Sequence, residues 1–566
     1  MFDVIVIGGG HAGCEAAAAA ARRGAHVALV TMSAKTIGAM SCNPSIGGIG
    51  KGHIVREVDA LDGLMGRAAD RAAIHYRLLN RSKGRAVQGP RIQADRVHYA
   101  RAVRAILDQQ RHLTVVEGSV DALALSGRKV TGIIFNDGKE LQSRAVVLAT
   151  GTFLGGKLYR GGERGEGGRV SERAATRLAR QLRDLELPVR RLKTGTPPRL
   201  DGRTIDWSRL DQQPSDADDW TMSPLEQRVL PQLHCAITRT TAATHDLIRH
   251  GLATSPLFTG AIEAGGPRYC PSIEDKVVRF GDRDGHQVFL EPEGVATNLV
   301  YPNGISTSLS TEVQTALVRS IPGLERADIV EPGYAVEYDY LDPRHLTHEL
   351  ETREIGKLFC AGQINGTTGY EEAAGQGLVA GANAAGKALE LSPLRLERDE
   401  SYIGVMIDDL VLAGVSEPYR MLTARAEYRL QLRADNATTR LSAKGEALGL
   451  LGAERSRFAS KYFAEVDRAR AGASDVSMAA LQELEDDKLY APYIERQRQE
   501  TRKRALFGGR SVPGDLDYSS IPGLSNEMRE RLSSVRPATI GEAGRIPGVT
   551  PAALTALLAA VQKLAA

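Results

Sequence analysis

Two cysteine-bearing strings hold side chains able to do covalent chemistry. Residues 41–53 read SCNPSIGGIGKGH, which sets Cys42 in flexible, glycine-rich backbone with Lys51 and His53 close in sequence. Cations near a thiol favour the thiolate, the nucleophilic form, so Cys42 is a candidate nucleophile or acid. The same string could instead only wrap a bound cofactor. Residues 268–276 read RYCPSIEDK, where Cys270 stands among Arg268, Lys276, Glu274 and Asp275. The other cysteines, Cys14, Cys235 and Cys360, fall within expected helix or strand and read as packing residues. Five cysteines, odd in number and without a C-x-x-C pair, suggest reduced thiols and no metal site.

Basic residues cluster in two places. Between 71 and 111 lie Arg71, Arg77, Arg81, Lys83, Arg85, Arg91, Arg96, Arg101, Arg104 and Arg111, opposed by Asp95 and Asp108, with Tyr76, His98 and Tyr99 interleaved. The segment suits a phosphate backbone, and equally a solvated helical face with cofactor-phosphate contacts. Residues 416–433, SEPYRMLTARAEYRLQLR, carry arginines four or five apart. On a helix these form one basic stripe beside tyrosines, fit for a polyanion or a stacked base, or else paired with their own glutamates.

These groups need a frame, and the frame starts almost at residue one. Val4-Ile5-Val6-Ile7 predicts a buried strand, Gly8-Gly9-Gly10-His11-Ala12-Gly13 a turn, and Glu15 to Arg23 an alanine-rich helix, with a second strand from His26 to Val30. Gly8, Gly10 and Gly13 fit G-x-G-x-x-G, the turn that lets backbone approach a dinucleotide pyrophosphate at a helix N-terminus. The acidic residue that usually holds a ribose hydroxyl is replaced by Thr31 and Met32. Residues 145–151 and 358–363 add two further strand-and-turn pieces, the latter leading into a small-residue helix from Ala373 to Leu389. A nucleotide fold split by insertions is the usual layout of large FAD enzymes. Ser41–His53 follows its first βαβ unit and should lie near the flavin.

The organisation expected is an α/β chain: an FAD-binding Rossmann-like domain of the glutathione-reductase type, an inserted α/β domain and an all-helical C-terminal region. Its parts are 1–199 (with the basic insertion at about 71–111), 200–350 as the insertion, 351–395 completing the FAD domain, 396–510 helical, and 511–566 a docking module. In the last, Ile521-Pro522-Gly523-Leu524 and Ile546-Pro547-Gly548-Val549 each precede a short helix. Helix–hairpin–helix punctuation is one reading; a small bundle with proline at helix starts is the other, and the favoured one. The 566 residues have 42% hydrophobic and 25% charged content and a net charge of +3, so bulk charge names no partner. No apolar run nears the roughly 20 residues of a membrane span. No signal peptide is evident, and a cytoplasmic protein is expected.

Read together, these strings closely resemble the MnmG (GidA) family of flavin-dependent tRNA uridine 5-carboxymethylaminomethyl modification enzymes. The matching stretches are GGGHAG at 8–13, SCNPSIGGIGKGH at 41–53, LKTGTPPR at 192–199, GPRYCPSIEDK at 266–276, FLEPEG at 289–294, YPNGISTSL at 301–309, AGQINGTTGYEEAAGQGL at 361–378 and EPYRMLTARAEYRL at 417–430. They run nearly the length of the chain.

The resemblance implies FAD held by Gly8, Gly9, Gly10, His11, Ala12 and Gly13, with contacts near Val120 and Gln363. It implies an NAD(H) site over about Gly266 to Phe280, with Gly266, Pro267, Arg268, Tyr269 and Lys276 taking part. It further implies a homodimer that joins the GTPase MnmE in a heterotetramer through the C-terminal helices. The substrate would be the wobble uridine in the anticodon of certain tRNAs, the one-carbon donor methylene-tetrahydrofolate, and the amine glycine or ammonium. Cys270 is expected as the catalytic nucleophile and Cys42 as a catalytic proton-transfer or assisting thiol. Two departures stand out: Ala175 replaces a serine that can touch the cofactor, and the helical region at about 470–490 is shorter than in longer members. Rival readings are the folate- and FAD-dependent tRNA uridine methyltransferase, which lacks residues like 395–566, a small-molecule flavin oxidoreductase, and a non-catalytic regulatory flavoprotein.

Overall fold

The computed structural model describes residues 1–566 apart from 171, 263, 265–270, 282 and 566; side chains of 500–508, 564 and 565 are likewise outside the described set. The uninterrupted apolar run Phe2–Ile7 forms β1, its last four residues buried, as a central parallel strand demands. Helix α1 (His11–Arg22) returns to β2 (Val27–Thr31), which pairs parallel with β1. Strand Leu113–Glu117 extends the sheet beyond β2, and Glu140–Leu148 flanks β1 on the other side, both in parallel. Strand Leu358–Cys360 then joins Glu140–Leu148 in parallel, so residues more than 350 positions apart share one sheet. Two antiparallel strands, Lys129–Phe135 and Val120–Ser126, complete its seven.

Helix Tyr370–Leu389 clamps α1 from behind. The approach is backbone to backbone: a Cβ on Gly377 would stand 2.1 Å from the Ala12 carbonyl oxygen, and one on Gly381 2.0 Å from that of Ala16. The alanine run of α1 and the glycines facing it are therefore a matched pair.

The inserted region holds a six-stranded sheet whose pairings are all antiparallel, covered by helices Ala242–Gly251 and Thr311–Arg319 over a separate apolar core that includes Ile248, Leu290, Leu317 and Leu324. A four-stranded antiparallel sheet, with Tyr334–Leu341 at its heart, links it to the nucleotide fold. Past 395 the chain is mostly helical, and its longest non-helical stretches are 414–436 and 509–525. Residues 416–433 contain only a short 3-10 turn, Thr423–Arg425, so the basic helical stripe expected there does not form. Pro418 disfavours helix at its start, and the side chains bond elsewhere: Arg433 to Asp487 at 2.7 Å and Glu427 to Arg398 at 2.7 Å.

Segment 71–111 splits into strands Ala73–Leu79 and Gly89–Ala94 and helix Arg96–Asp108. Its arginines are mostly committed internally: Arg71 to Glu226, Arg81 to Asp216, Arg91 to Glu291 and Arg96 to Glu293. Tyr76 and Tyr99 are fully buried, out of reach of any nucleobase. At the C-terminus, helices Asn526–Val535, Ile540–Arg545 and Pro551–Ala565 pack on a small core with Ile521, Leu524 and Ile546 inside, which is the bundle reading. Among the described residues no helix is long and apolar enough to cross a membrane.

Candidate active site

Every strand-and-turn piece of the nucleotide fold ends at one cavity of about 740 Å³, within the usual range of about 300–1,000 Å³ for cofactor sites. Gly8, Gly9, Gly10, His11 and Ala12 line it after β1, Thr31 and Met32 after β2, Val120 after the crossover, Gly151 after Glu140–Leu148, and Gln363 after Leu358–Cys360. Gly8 has φ 113°, and a Cβ there would lie 2.2 Å from the Ala149 oxygen. Gly13 has no room either: a Cβ would sit 1.7 Å from the Gly8 oxygen. Gly10, by contrast, faces open space with no atom within 4 Å. It is also the N-cap of α1, and no side chain caps it. Open backbone at an uncapped helix start is a fit for a pyrophosphate. Thr31 and Met32, which stand where a ribose-binding acid is usual, both line the cavity, as does Ala175.

His11 is sealed beneath the turn, its ring stacked 4.4 Å from that of Tyr370. Burial and then the Arg169 charge push it down to about 3, so it is neutral at physiological pH.

Cys42 opens on the same cavity, and so does Lys276. Lys276 Nζ donates to the Gly304 carbonyl at 2.7 Å. Two cations expected beside Cys42 are committed elsewhere. Lys51 bonds Glu371 at 2.8 Å and stands 3.3 Å from Glu372; burial works against its charge, but the two carboxylates hold its pKa above the usual value. His53 is wholly buried against Tyr402, rings 4.7 Å apart, and burial pushes it down to about 4. The groups set on Cys42 are other residues. Its Sγ lies 3.2 Å from Tyr301 Oη, its N–H donates to Tyr370 Oη at 2.6 Å, and its carbonyl accepts from Arg199 Nη2 at 3.0 Å. These partners were not singled out from the sequence, although Tyr301, Tyr370 and Arg199 sit within or at the end of matching strings; nothing in their spacing announced a meeting with residue 42.

The glycine loop after Cys42 is pinned from the same side: Glu371 accepts the Gly47 N–H at 2.6 Å, and Glu372 accepts that of Met421 at 3.0 Å. The first half of the 416–433 segment thus closes the cavity wall, with Arg420 and Leu422 among its lining residues. Cys14, Cys235 and Cys360 are buried, and burial raises each thiol, Cys14 and Cys235 to about 12, so they stay protonated. Cys270, Gly266, Pro267, Arg268 and Tyr269 lie outside the described residues; the adjoining Pro271 and Lys276 line the cavity.

Comparison with known proteins agrees with this layout. Residues 3–392 match the family described as glucose inhibited division protein A, and residues 502–566 match the tRNA modifying enzyme MnmG/GidA C-terminal helical bundle. The chain is 55% identical, over its whole length and 98% of the relative, to a tRNA uridine 5-carboxymethylaminomethyl modification enzyme MnmG of Zymomonas mobilis. It is 50% identical to that of Granulibacter bethesdensis, covering 98% of this chain and 96% of the relative. It also matches solved GidA of Aquifex aeolicus in two crystal forms, with TM-scores of 0.92 and 0.93, identities of 44% and 46%, 99% of this chain covered in each, and 98% and 100% of the solved chains. By sequence, fold and the contents of its cavity, the chain belongs to the GidA (MnmG) family of tRNA uridine modification enzymes.

Proposed function

We propose that this enzyme installs a carboxymethylaminomethyl or aminomethyl group on carbon 5 of the wobble uridine of tRNA. Methylene-tetrahydrofolate supplies the carbon, and glycine or ammonium the amine. One observation carries the reading: the dinucleotide turn and an accessible, pinned thiol, Cys42, share one cavity. FAD, held along Gly8–Gly13, Val120 and Gln363, supplies two-electron chemistry beside the base. NAD(H) would be held near Gly266–Tyr269 and Lys276 and would supply hydride to the flavin.

Carbon 5 of uracil is a weak nucleophile. A thiolate of Cys270 adding at carbon 6 forms an S–C bond and moves the ring electrons onto the 4-oxygen, leaving an enolate; its carbon 5 attacks the methylene of an iminium made from the folate methylene and the amine, whose C=N pair passes to the nitrogen, tetrahydrofolate having left when the iminium formed. Cys42 then takes the proton from carbon 5, the enolate re-forms and expels the Cys270 sulfur, and the aromatic ring is restored. The enzyme works as a homodimer with the GTPase MnmE, and the C-terminal bundle is the docking element.

Reconstitution with unmodified tRNA, methylene-tetrahydrofolate, glycine or ammonium, NADH, GTP and MnmE, followed by nucleoside analysis, is the test. The expected product is the C5-aminomethyl-type nucleoside. A C5-methyl product would instead support the methyltransferase reading, and full activity in Cys270→Ser would remove that residue as nucleophile.

A further inference from the structure

We propose that Tyr301 is a positioning residue for Cys42, its phenol holding the sulfur through both of its protonation states. The proposal rests on reading Cys42 as a proton-handling thiol, and deepens it. Tyr301 comes from strand Leu299–Asn303 of the inserted sheet, opposite Glu291, whereas Cys42 belongs to the nucleotide fold. The 3.2 Å contact between Oη and Sγ therefore joins two regions with separate cores.

The sulfur is held there by its backbone. Glu293 binds two arginines, Arg199 Nε at 2.8 Å on one oxygen and Arg96 Nη1 at 2.7 Å on the other. Arg199 grips the Cys42 carbonyl at 3.0 Å, and Arg96 grips that of Met40 at 3.1 and 2.5 Å. The carbonyls on both sides of Ser41 are thus clamped by one carboxylate-centred pair, while Tyr370 takes the Cys42 N–H. Arg199 serves twice, since its guanidinium also lies 4.7 Å over the Tyr301 ring. A cation on the ring face draws density from the phenol and strengthens its O–H as a donor. Tyr334 lines the same cavity.

A hydroxyl suits the task for a definite reason. It donates to a thiolate, and it accepts from a thiol, so the contact survives when the sulfur gains or loses a proton. An arginine or lysine could serve only the anion. When Cys42 takes a proton, the new S–H turns to the phenol oxygen and no buried acceptor is orphaned.

The test is the pH profile of iodoacetamide alkylation of Cys42 in the flavin-loaded enzyme, read peptide by peptide by mass spectrometry so that Cys270 is scored separately. Tyr301→Phe keeps the ring under Arg199 and removes only the hydroxyl. Its midpoint should rise by about one unit, slowing alkylation of Cys42 at neutral pH roughly tenfold. Should Tyr301→Phe fail to fold, 3-fluorotyrosine at 301, a more acidic phenol and better donor, should lower the midpoint instead. An unmoved Cys42 midpoint in either protein overturns the proposal. Full tRNA modification by Cys42→Ser would overturn the role of Cys42 and leave this result standing, so the two failures are distinct.

Discussion

The cofactor cradle and the C-terminal bundle are joined to the molecule by different physics. The cradle is welded by backbone. Gly377 and Gly381 bring the helix Tyr370–Leu389 so near α1 that no methyl group fits between them. The bundle is held largely by charge. Its apolar core is its own apart from Leu412, which enters from helix Tyr402–Ala413. Asp408 on that helix accepts from Arg545 at 2.9 and 2.8 Å, from His348 at 3.2 Å and from Arg398 at 3.0 Å, and Arg395 reaches Glu542 at 2.9 Å. Close packing is insensitive to salt and intolerant of volume, and ion pairs are the reverse. A site that gathers a dinucleotide turn and a thiol around one cavity suits the first kind of joint.

Enlarging the cradle glycines should break the comparison most severely. Gly381→Ala places a methyl 2.0 Å from the Ala16 oxygen, and Gly377→Ala another 2.1 Å from that of Ala12. Alanine gains about 1 kcal/mol in helix propensity. Ordinary overpacking costs about 1–3 kcal/mol, and a clash with backbone on both sides costs more, because neither helix can rotate a side chain away. The double variant should lose several kcal/mol in urea unfolding and purify without flavin. Unchanged stability would mean that the two helices are not in contact as described.

Asp408→Asn should free the bundle and leave the cradle intact. Hydrogen bonds to charged groups contribute about 1.5–3 kcal/mol each, less here because Arg545 is partly exposed. Proteolytic cleavage between residues 509 and 517 should accelerate roughly tenfold or more while flavin content is unchanged, and added salt should narrow the difference between wild type and variant. Burial would raise the Asp408 carboxyl, but hydrogen bonds from His348 and Arg545, with the charges of Arg545 and Arg398, hold it far below the usual range. A depressed carboxyl contributes stability above its unfolded pKa, so the latch should hold at neutral pH and weaken only as pH falls below about 4.

The cradle side should respond to acid sooner. His53, ordinarily near 6.5, is pushed down to about 4 by burial, then by the Arg440 charge. The unfolded chain takes up a proton below about 6.5 and the folded one does not, so the contribution of His53 falls as pH drops through that range. Glu15 and Asp70, pushed up to about 7 by burial, act in the opposite direction over the same range. The histidine's share is therefore read as a difference. Relative to His53→Phe, which keeps a flat ring against Tyr402, the wild type should lose about 2 kcal/mol between pH 7 and pH 5. Parallel pH curves for the two proteins would refute it.

What the sequence disclosed, and what it hid, follows the same divide between local and distant causes. Strand β1, the glycine turn and α1 were legible because each is set by neighbours in the chain: an apolar run, a forced positive φ at Gly8, and helix-forming alanines. The C-terminal bundle was legible in part for the same reason. Cys42 was recognisable as a reactive-site candidate by type, yet the cations near it in sequence, Lys51 and His53, face other partners. Tyr301, Tyr370 and Arg199 meet it from 259, 328 and 157 residues away. Segment 416–433 looked helical by the spacing of its arginines, but Pro418 and the carboxylates of Asp409, Asp435 and Asp487 decide its path. The basic run at 71–111 likewise looked available to phosphate until Asp216, Glu226, Glu291 and Glu293 claimed it.

The finest distinction lies within the cradle, where glycines that pack can be separated from the glycine that faces the ligand. Gly10 has φ −78°, which alanine adopts without strain, and a methyl there touches nothing within 4 Å. Gly10→Ala should therefore fold with its stability altered by less than about 0.5 kcal/mol. Yet that methyl points into the space where the pyrophosphate must approach the N-terminus of α1, so the purified protein should carry markedly less FAD and regain little on incubation with excess. Gly13→Ala, three residues on, would meet the Gly8 oxygen at 1.7 Å and should lose fold and flavin together. If Gly10→Ala instead binds FAD as tightly as the wild type, the cofactor does not lie along this turn, and the open face of Gly10 serves no ligand.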